Sequence, residues 1–296
     1  MMHVKPGIRP EEVKLQGQHV LFVEGNDNDS ADPKVLEELF EHKIGIKPLG
    51  PSYSVQSVAA ALFKHHPTYY FLIDRDHHKD EFVTKCWENF PDPATHNLLV
   101  WRRREVENYF LEPDYLCQSQ YCCVSQDELG QKILKFANER LFLDVTNHVV
   151  ISIREELKKN WIEKFKDLTG FSCKATALRK LKDANEFNQH QENVTQKVSG
   201  DEVERRFHEH LENMMGGQER LMVGVGDWLH MIQGKKVLAQ IIHSDCFRVH
   251  ANDGKPVAGR EKLNAVVKDL LQKDLSVQPE DFRELKQLIE KRISEV

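Results

Sequence analysis

Two short apolar runs, each ending in carboxylates, constrain this chain more than any other feature. Val20-Leu21-Phe22-Val23 leads into Glu24-Gly25, and Tyr69-Tyr70-Phe71-Leu72-Ile73 leads into Asp74-Arg75-Asp76. Neither run alternates polar with apolar residues, as a strand with one wet face would, so both are expected as strands of a parallel sheet buried on both faces. Ligands meet such sheets at the carboxyl ends of the strands, which is where these acids stand. Between the runs, Asp32-Pro33 reads as a helix N-cap with proline at the first helical position, and Val35, Leu36, Leu39 and Phe40 fall on one face. A run from Lys43 to Leu49 and a second apolar-faced helix from Ser54 to His65 complete a β-α-β-α-β order. That order favours a parallel sheet with right-handed crossovers.

A glutamate after the first strand and an Asp-x-Asp after the third resemble the TOPRIM domain of topoisomerases, primases and OLD-family nucleases. After a further apolar run, Asn97 to Trp101, the stretch Arg104-Glu105-Val106-Glu107-Asn108-Tyr109 is similar to the Arg-Glu-Ile-Glu-Asn-Tyr signature of stand-alone OLD-type TOPRIM proteins. Some of those are the effector half of two-gene antiphage systems whose other gene is an ABC-type ATPase, the PARIS type among them. The chain departs from the family at one position. An aspartate usually follows the glutamate by four residues, and here Asn28 stands there, between Asp27 and Asp29.

The resemblance implies an α/β fold, a TOPRIM-like parallel sheet flanked by helices, over residues 1–112. The texture beyond is helical: a region over 113–245 for docking and substrate, then carboxyl-terminal helices over 246–296 that pack on the core. Ser125 with Glu128, and Ser199 with Glu202, read as capping boxes, and Gly216-Gly217 as a helix end. Helices are expected over Val150–Leu168, Cys173–Phe187 and Asp227–Ile242, and at about 259–273 and 279–293.

Phosphodiester cleavage needs charge on the attacking and leaving oxygens to be neutralised, which a pair of Mg²⁺ or Mn²⁺ ions roughly 4 Å apart does directly. Such hard cations take oxygen ligands. Glu24, Asp74, Asp76, Glu105 and Glu107 supply carboxylates at or just after strand ends and are the candidate metal ligands. In the pattern the chain resembles, the Asp-x-Asp holds metal and the first-strand glutamate binds metal or handles a proton, which makes Glu24 and Asp76 catalytic candidates. Glu107 is preferred to Glu105, which is expected to pair with an arginine. OLD-type proteins also carry a lysine toward the carboxyl end, and the resemblance gives that role to Lys235, able to stabilise a pentavalent phosphate. Arg102, Arg103 and Arg104 lead into the Glu105–Glu107 segment and are the candidate contacts to nucleic acid, DNA or RNA.

Each feature has a plainer reading. An Asp-x-Asp alone is common, and an aspartate after a strand can simply cap the next helix. Tyr109 reads as a packed aromatic, and the pairs His65-His66 and His77-His78 as surface loop residues. Gly234-Lys235-Lys236 is no ATP-binding loop, because Lys236 replaces the Ser or Thr that would reach Mg²⁺. The rival enzyme, a HAD-type phosphotransferase, would carry its aspartate motif on the first strand. The rival without catalysis is an inactive TOPRIM fold that docks on a partner or holds nucleic acid, and Asn28 speaks for it.

The 296 residues, 40% hydrophobic and 30% charged, are enough for a full core. A net charge of −6 argues against binding polyanions over the whole surface but not against a local basic groove. No stretch has the roughly 18 to 20 apolar residues of a membrane span, and the first residues lack a signal peptide's apolar core, so a cytoplasmic protein with reduced thiols is expected. The six cysteines form no CxxC pair, which leaves zinc poorly supported. The partners expected from the resemblance are the ATPase subunit and a nucleic acid, and a homodimer is compatible with them.

Overall fold

The computed structural model describes residues 19–25, 31–76, 78–91, 96–159, 169 and 173–295. Asp27, Asn28, Asp29 and His77 lie outside these, as does the expected Val150–Leu168 helix beyond Lys159. The first strand, β1 (Val20–Val23), is followed by α1 (Ala31–Leu39), β2 (Gly45–Pro48), α2 (Ser52–Leu62), β3 (Tyr69–Ile73), α3 (Asp80–Asn89) and β4 (Leu98–Val100). All pairings are parallel and the order is β2-β1-β3-β4. Every residue of β1 and β3 is buried, as the uninterrupted apolar runs require of strands covered on both faces. The chain moves outward from β1 to β2 and then crosses back to β3 on the other side. Its direction therefore reverses between β1 and β3, and the carboxyl ends of those two strands flank a crevice.

After β4 comes a 3-10 helix, Val106–Leu111, then α4 (Pro113–Leu116) and α5 (Gln126–Lys159). The Ser125 box holds: Glu128 N–H donates to Ser125 Oγ at 3.3 Å, and Ser125 N–H to Glu128 Oε2 at 3.0 Å. The helix it starts then runs unbroken for 34 residues, where two were expected, because no Gly or Pro interrupts the 140s. The single helix expected over Cys173–Phe187 is instead two, α6 (Lys174–Lys182) and α7 (Asn185–Lys197), broken at Asp183-Ala184. Helix α8 (Gly200–Met215) begins at Ser199, whose Oγ accepts Glu202 N–H at 3.4 Å, and ends at Gly216 with φ +58°.

The expected Asp227–Ile242 helix is also two, α9 (Trp228–Met231) and α10 (Gly234–His243), and the chain closes with α11 (Gly259–Leu271) and α12 (Glu280–Glu295). These last two pack on the α/β core. Phe282 of α12 stands among Trp101, Tyr109 and Phe110, with ring centroids 5.1 to 5.8 Å away. Lys268 and Lys286 reach Glu38 and Glu41 at the end of α1, each at 2.7 Å. Among the described residues, no helix is long and apolar enough to cross a membrane.

Candidate metal centre

The backbone that leaves β1 turns at Gly25, which exchanges reciprocal N–H···O bonds of 2.9 and 2.8 Å with Gly50. Both glycines have positive φ, +120° and +87°, and a side chain would strain either. This bridge brings the start of α2 to the end of β1. The Glu24 carboxylate there accepts N–H groups from Ser52 and Asp74. Asp74 follows the last residue of β3 directly, half-buried. Asp76, at φ +43°, is exposed. The turn splits the Asp-x-Asp pair, one inward and one outward, although Asp76 still acts electrostatically on Glu24.

From β4 the chain reaches Glu105 and the buried Glu107. A sixth acid joins them. Asp32 lies one residue inside α1, which begins at Ala31, so it is not the expected N-cap. Its Oδ1 accepts Trp101 Nε1–H at 3.3 Å, and its carboxyl acts on Asp74 and Glu107.

Crowding carboxyls in a desolvated place disfavours their charged forms. Burial pushes Glu24 up to about 7, with Asp76 adding to it. Burial likewise takes Asp32 up to about 6 and Glu107 up to about 8, the latter helped by Asp32 and Glu105. Asp74 is raised well above the carboxylate range, by burial first and then by Asp32, Glu24, Glu107 and Glu105 in that order. Asp74 thus feels Glu107 more strongly than Glu105. Glu24 Oε2 and Asp74 Oδ1 are shut off from solvent with no hydrogen-bond partner. Buried polar atoms are nearly always satisfied, so two orphaned carboxylate oxygens at the ends of neighbouring strands call for an explanation.

Glu105 is held differently. Burial raises it, but the backbone N–H of Lys235 donates to its Oε2 at 2.9 Å and opposes the shift, with Arg104 second. Asn108 builds this contact. Its Oδ1 accepts Glu105 N–H at 3.1 Å, and its Nδ2 donates to Leu229 O and Ile232 O, both at 2.9 Å. Those carbonyls end α9, which explains the break before α10. Gly234 rests against Asn108 so closely that a Cβ would lie 2.3 Å from Asn108 Oδ1. The residues missed by sequence reasoning are therefore Asp32, Asn108, Gly234 and the Ser52 amide. Of these only Asn108 had a local signal, its place three after Glu105.

The arginine triplet is committed to partners within the protein. Arg102 donates to Asp281 and Glu284 of α12 at 2.6 and 2.7 Å and lies over the Trp87 ring. Arg103 pairs with Glu112 and caps the ring of Tyr109, and Arg104 reaches Met231 O at 3.1 Å and stands 3.9 Å from Asp144. Asp281 and Glu284 of α12, Glu112 just before α4 and the buried Asp144 of α5 face these cations, so they bolt the motif to its neighbours. Tyr109 is buried, its hydroxyl donating to Asp281. His65 and His66 precede β3 and so sit at the far end of the sheet. His78 lies 5.1 Å from the Phe82 ring. The described cysteines are all free.

A divalent cation fits this donor set in kind: hard oxygens, most of them desolvated, with Glu24 Oε2 and Asp74 Oδ1 unpartnered. The set is gathered but not closed. Among the described residues no three His, Cys, Asp or Glu side chains stand close enough to share one ion, so Glu24, Asp74 and Asp76 do not meet around a single point as expected. Comparison with protein-family models, with curated proteins and with solved structures returns no match.

Proposed function

We propose that the protein is a metal-dependent nuclease that cleaves phosphodiester bonds, with Mg²⁺ or Mn²⁺ held first by Glu24 and Asp74, and with Glu107, Asp32, Glu105 and Asp76 as the further carboxylates that would complete the set as it closes around the ion. The observation that carries this reading is the pair of orphaned oxygens, Glu24 Oε2 and Asp74 Oδ1, at the switch point of a parallel sheet. A bound cation would neutralise charge developing on the attacked phosphate and its leaving oxygen. The chain's own groups would do the rest. Burial raises Glu24 to about 7 in the ion-free site, so cation binding there would displace a proton near neutrality. The Lys235 side chain, exposed beside Glu105, would meet an incoming phosphate, and the Lys235 amide keeps Glu105 oriented.

The resemblance to OLD-type effectors adds a role in antiphage defence, in the cytoplasm, under an ABC-type ATPase. The open carboxylate set favours a second reading, an inactive TOPRIM-like module that binds nucleic acid or a partner. One experiment separates the two. Purified protein is incubated with DNA and with total RNA in Mg²⁺ or Mn²⁺, with Asp74→Asn as the blank. Cleavage by the wild type, lost on the order of 10²-fold or more in the blank, is the expected result. Equal products from both proteins would remove the site.

A further inference from the structure

An open groove of about 470 Å³ lies between α5 and α10, walled by Phe136 and Arg140 on one side and by Lys236, Gln240, His243 and Ser244 on the other. The spacing on α10 puts Lys236, Gln240 and His243 on one helical face, with Ser244 just past the helix end, and Lys132, Phe136 and Arg140 form an i, i+4, i+8 row on α5. In a chain of net charge −6 no carboxylate lines this groove. Arg140 is committed at one end, to Asp144 at 3.0 Å and Gln233 Oε1 at 2.6 Å. Lys132 is held at the other by Asp245, 3.4 Å away. Lys236 between them is exposed, and among the described residues no carboxylate pairs with it.

The head of the groove adjoins the acids, because Lys236 follows the residue whose amide bonds Glu105. Packed helices have axes about 8–10 Å apart, so the cleft between them is on the scale of one extended strand and not of a duplex. We infer that this groove holds a single strand of nucleic acid, its phosphates against Lys236 and Gln240 and a base against Phe136, and feeds it to the carboxylate cluster. A cationic track with an aromatic platform is the physical recipe for sequence-tolerant single-strand binding. The inference rests on the nuclease reading for its purpose, and it moves the substrate contact from the arginine triplet to α10.

Fluorescence anisotropy in EDTA, which prevents cleavage, tests it with a fluorescein-labelled single-stranded oligodeoxythymidylate and its oligouridylate counterpart. Lys236→Glu should weaken binding of one or both strands on the order of tenfold and lower the salt slope by about one. Lys85→Glu, the same charge change at an exposed position of α3, should leave affinity within about twofold. Equal weakening in the two variants, no weakening in either, or no binding by the wild type would overturn the groove. Melting curves check that Lys236→Glu folds, and Lys236→Ala with Gln240→Ala replaces it if it does not. If the wild type cleaves but Lys236→Glu binds normally, the groove fails and the nuclease survives. If Lys236→Glu loses binding while the wild type cleaves nothing with Mg²⁺ or Mn²⁺, the groove stands and the nuclease reading fails.

Discussion

The backbone amide of Lys235 donates to Glu105 Oε2 at 2.9 Å, joining two residues 130 positions apart. The hydrogen bond uses the main chain, while the Lys235 ammonium acts on Glu105, Asp32 and Glu107 only through its charge. That separates the two contributions of one residue. Lys235→Ala should keep the Glu105 contact and the melting temperature and still lose about 10²-fold in cleavage rate. A variant as active as the wild type would leave Lys235 a purely structural residue.

Gly234 sets the distance between that amide and the acid. Its replacement by alanine puts a Cβ 2.3 Å from Asn108 Oδ1, an atom fixed by hydrogen bonding and unable to yield. Gly234→Ala should therefore destabilise the protein by about 1–3 kcal/mol, the usual cost of overpacking. Urea denaturation measures it, and an unchanged midpoint would mean that the α9–α10 junction is not built as described.

The raised carboxyls make stability depend on pH in a definite sense. A carboxyl whose folded pKa lies above its unfolded value favours the folded state below the unfolded pKa, and that advantage is lost as pH rises through the folded value. For Glu24 and Glu107 the window runs from the unfolded value of 4.5 to about 7 and about 8. With divalent ions chelated, the melting temperature should fall between pH 5 and pH 8.5, and Glu107→Gln should flatten the fall by a few degrees. Mg²⁺ or Mn²⁺ should raise the melting temperature more at pH 8 than at pH 5.5, because protons compete for the same oxygens. An identical metal effect at the two pH values would count against the site. The test compares variant with wild type, since Glu156, held down to about 2 by Arg206 and Lys197, and Glu202, held down to about 2 by Arg205 and Arg206, act in the opposite sense in stronger acid.

Large exposed apolar side chains gather in the helical region: Phe142, Leu143 and Val150 on α5, Val203 on α8, Met222 and Val223 beyond it. Such patches mark protein contacts. If an ATPase subunit restrains the nuclease, Phe142→Glu with Val150→Glu should abolish co-purification of the two chains expressed together and leave cleavage intact. Undiminished co-purification would move the interface elsewhere.

What the sequence alone determined is local. Unbroken apolar runs specify buried parallel strands, the β-α-β-α-β order places Glu24 and Asp74 at adjacent strand ends, and serine caps start α5 and α8, with the full Ser-x-x-Glu box formed at α5. These follow from periodicity, burial and capping, each decided within a few residues. The long-range pairings were not legible. Arg102, Arg103 and Arg104 look alike in sequence, and only the packing of α12, α4 and α9 around them gives each its carboxylate or carbonyl. Asp32 offered a helix start and became part of the acid cluster because Trp101 stands across from it. The Asp227–Ile242 segment has the periodicity of one helix and breaks because Asn108, more than a hundred residues earlier, takes two of its carbonyls. A polar side chain accepts whichever partner the packed elements bring within about 3 Å, and that choice belongs to the tertiary structure.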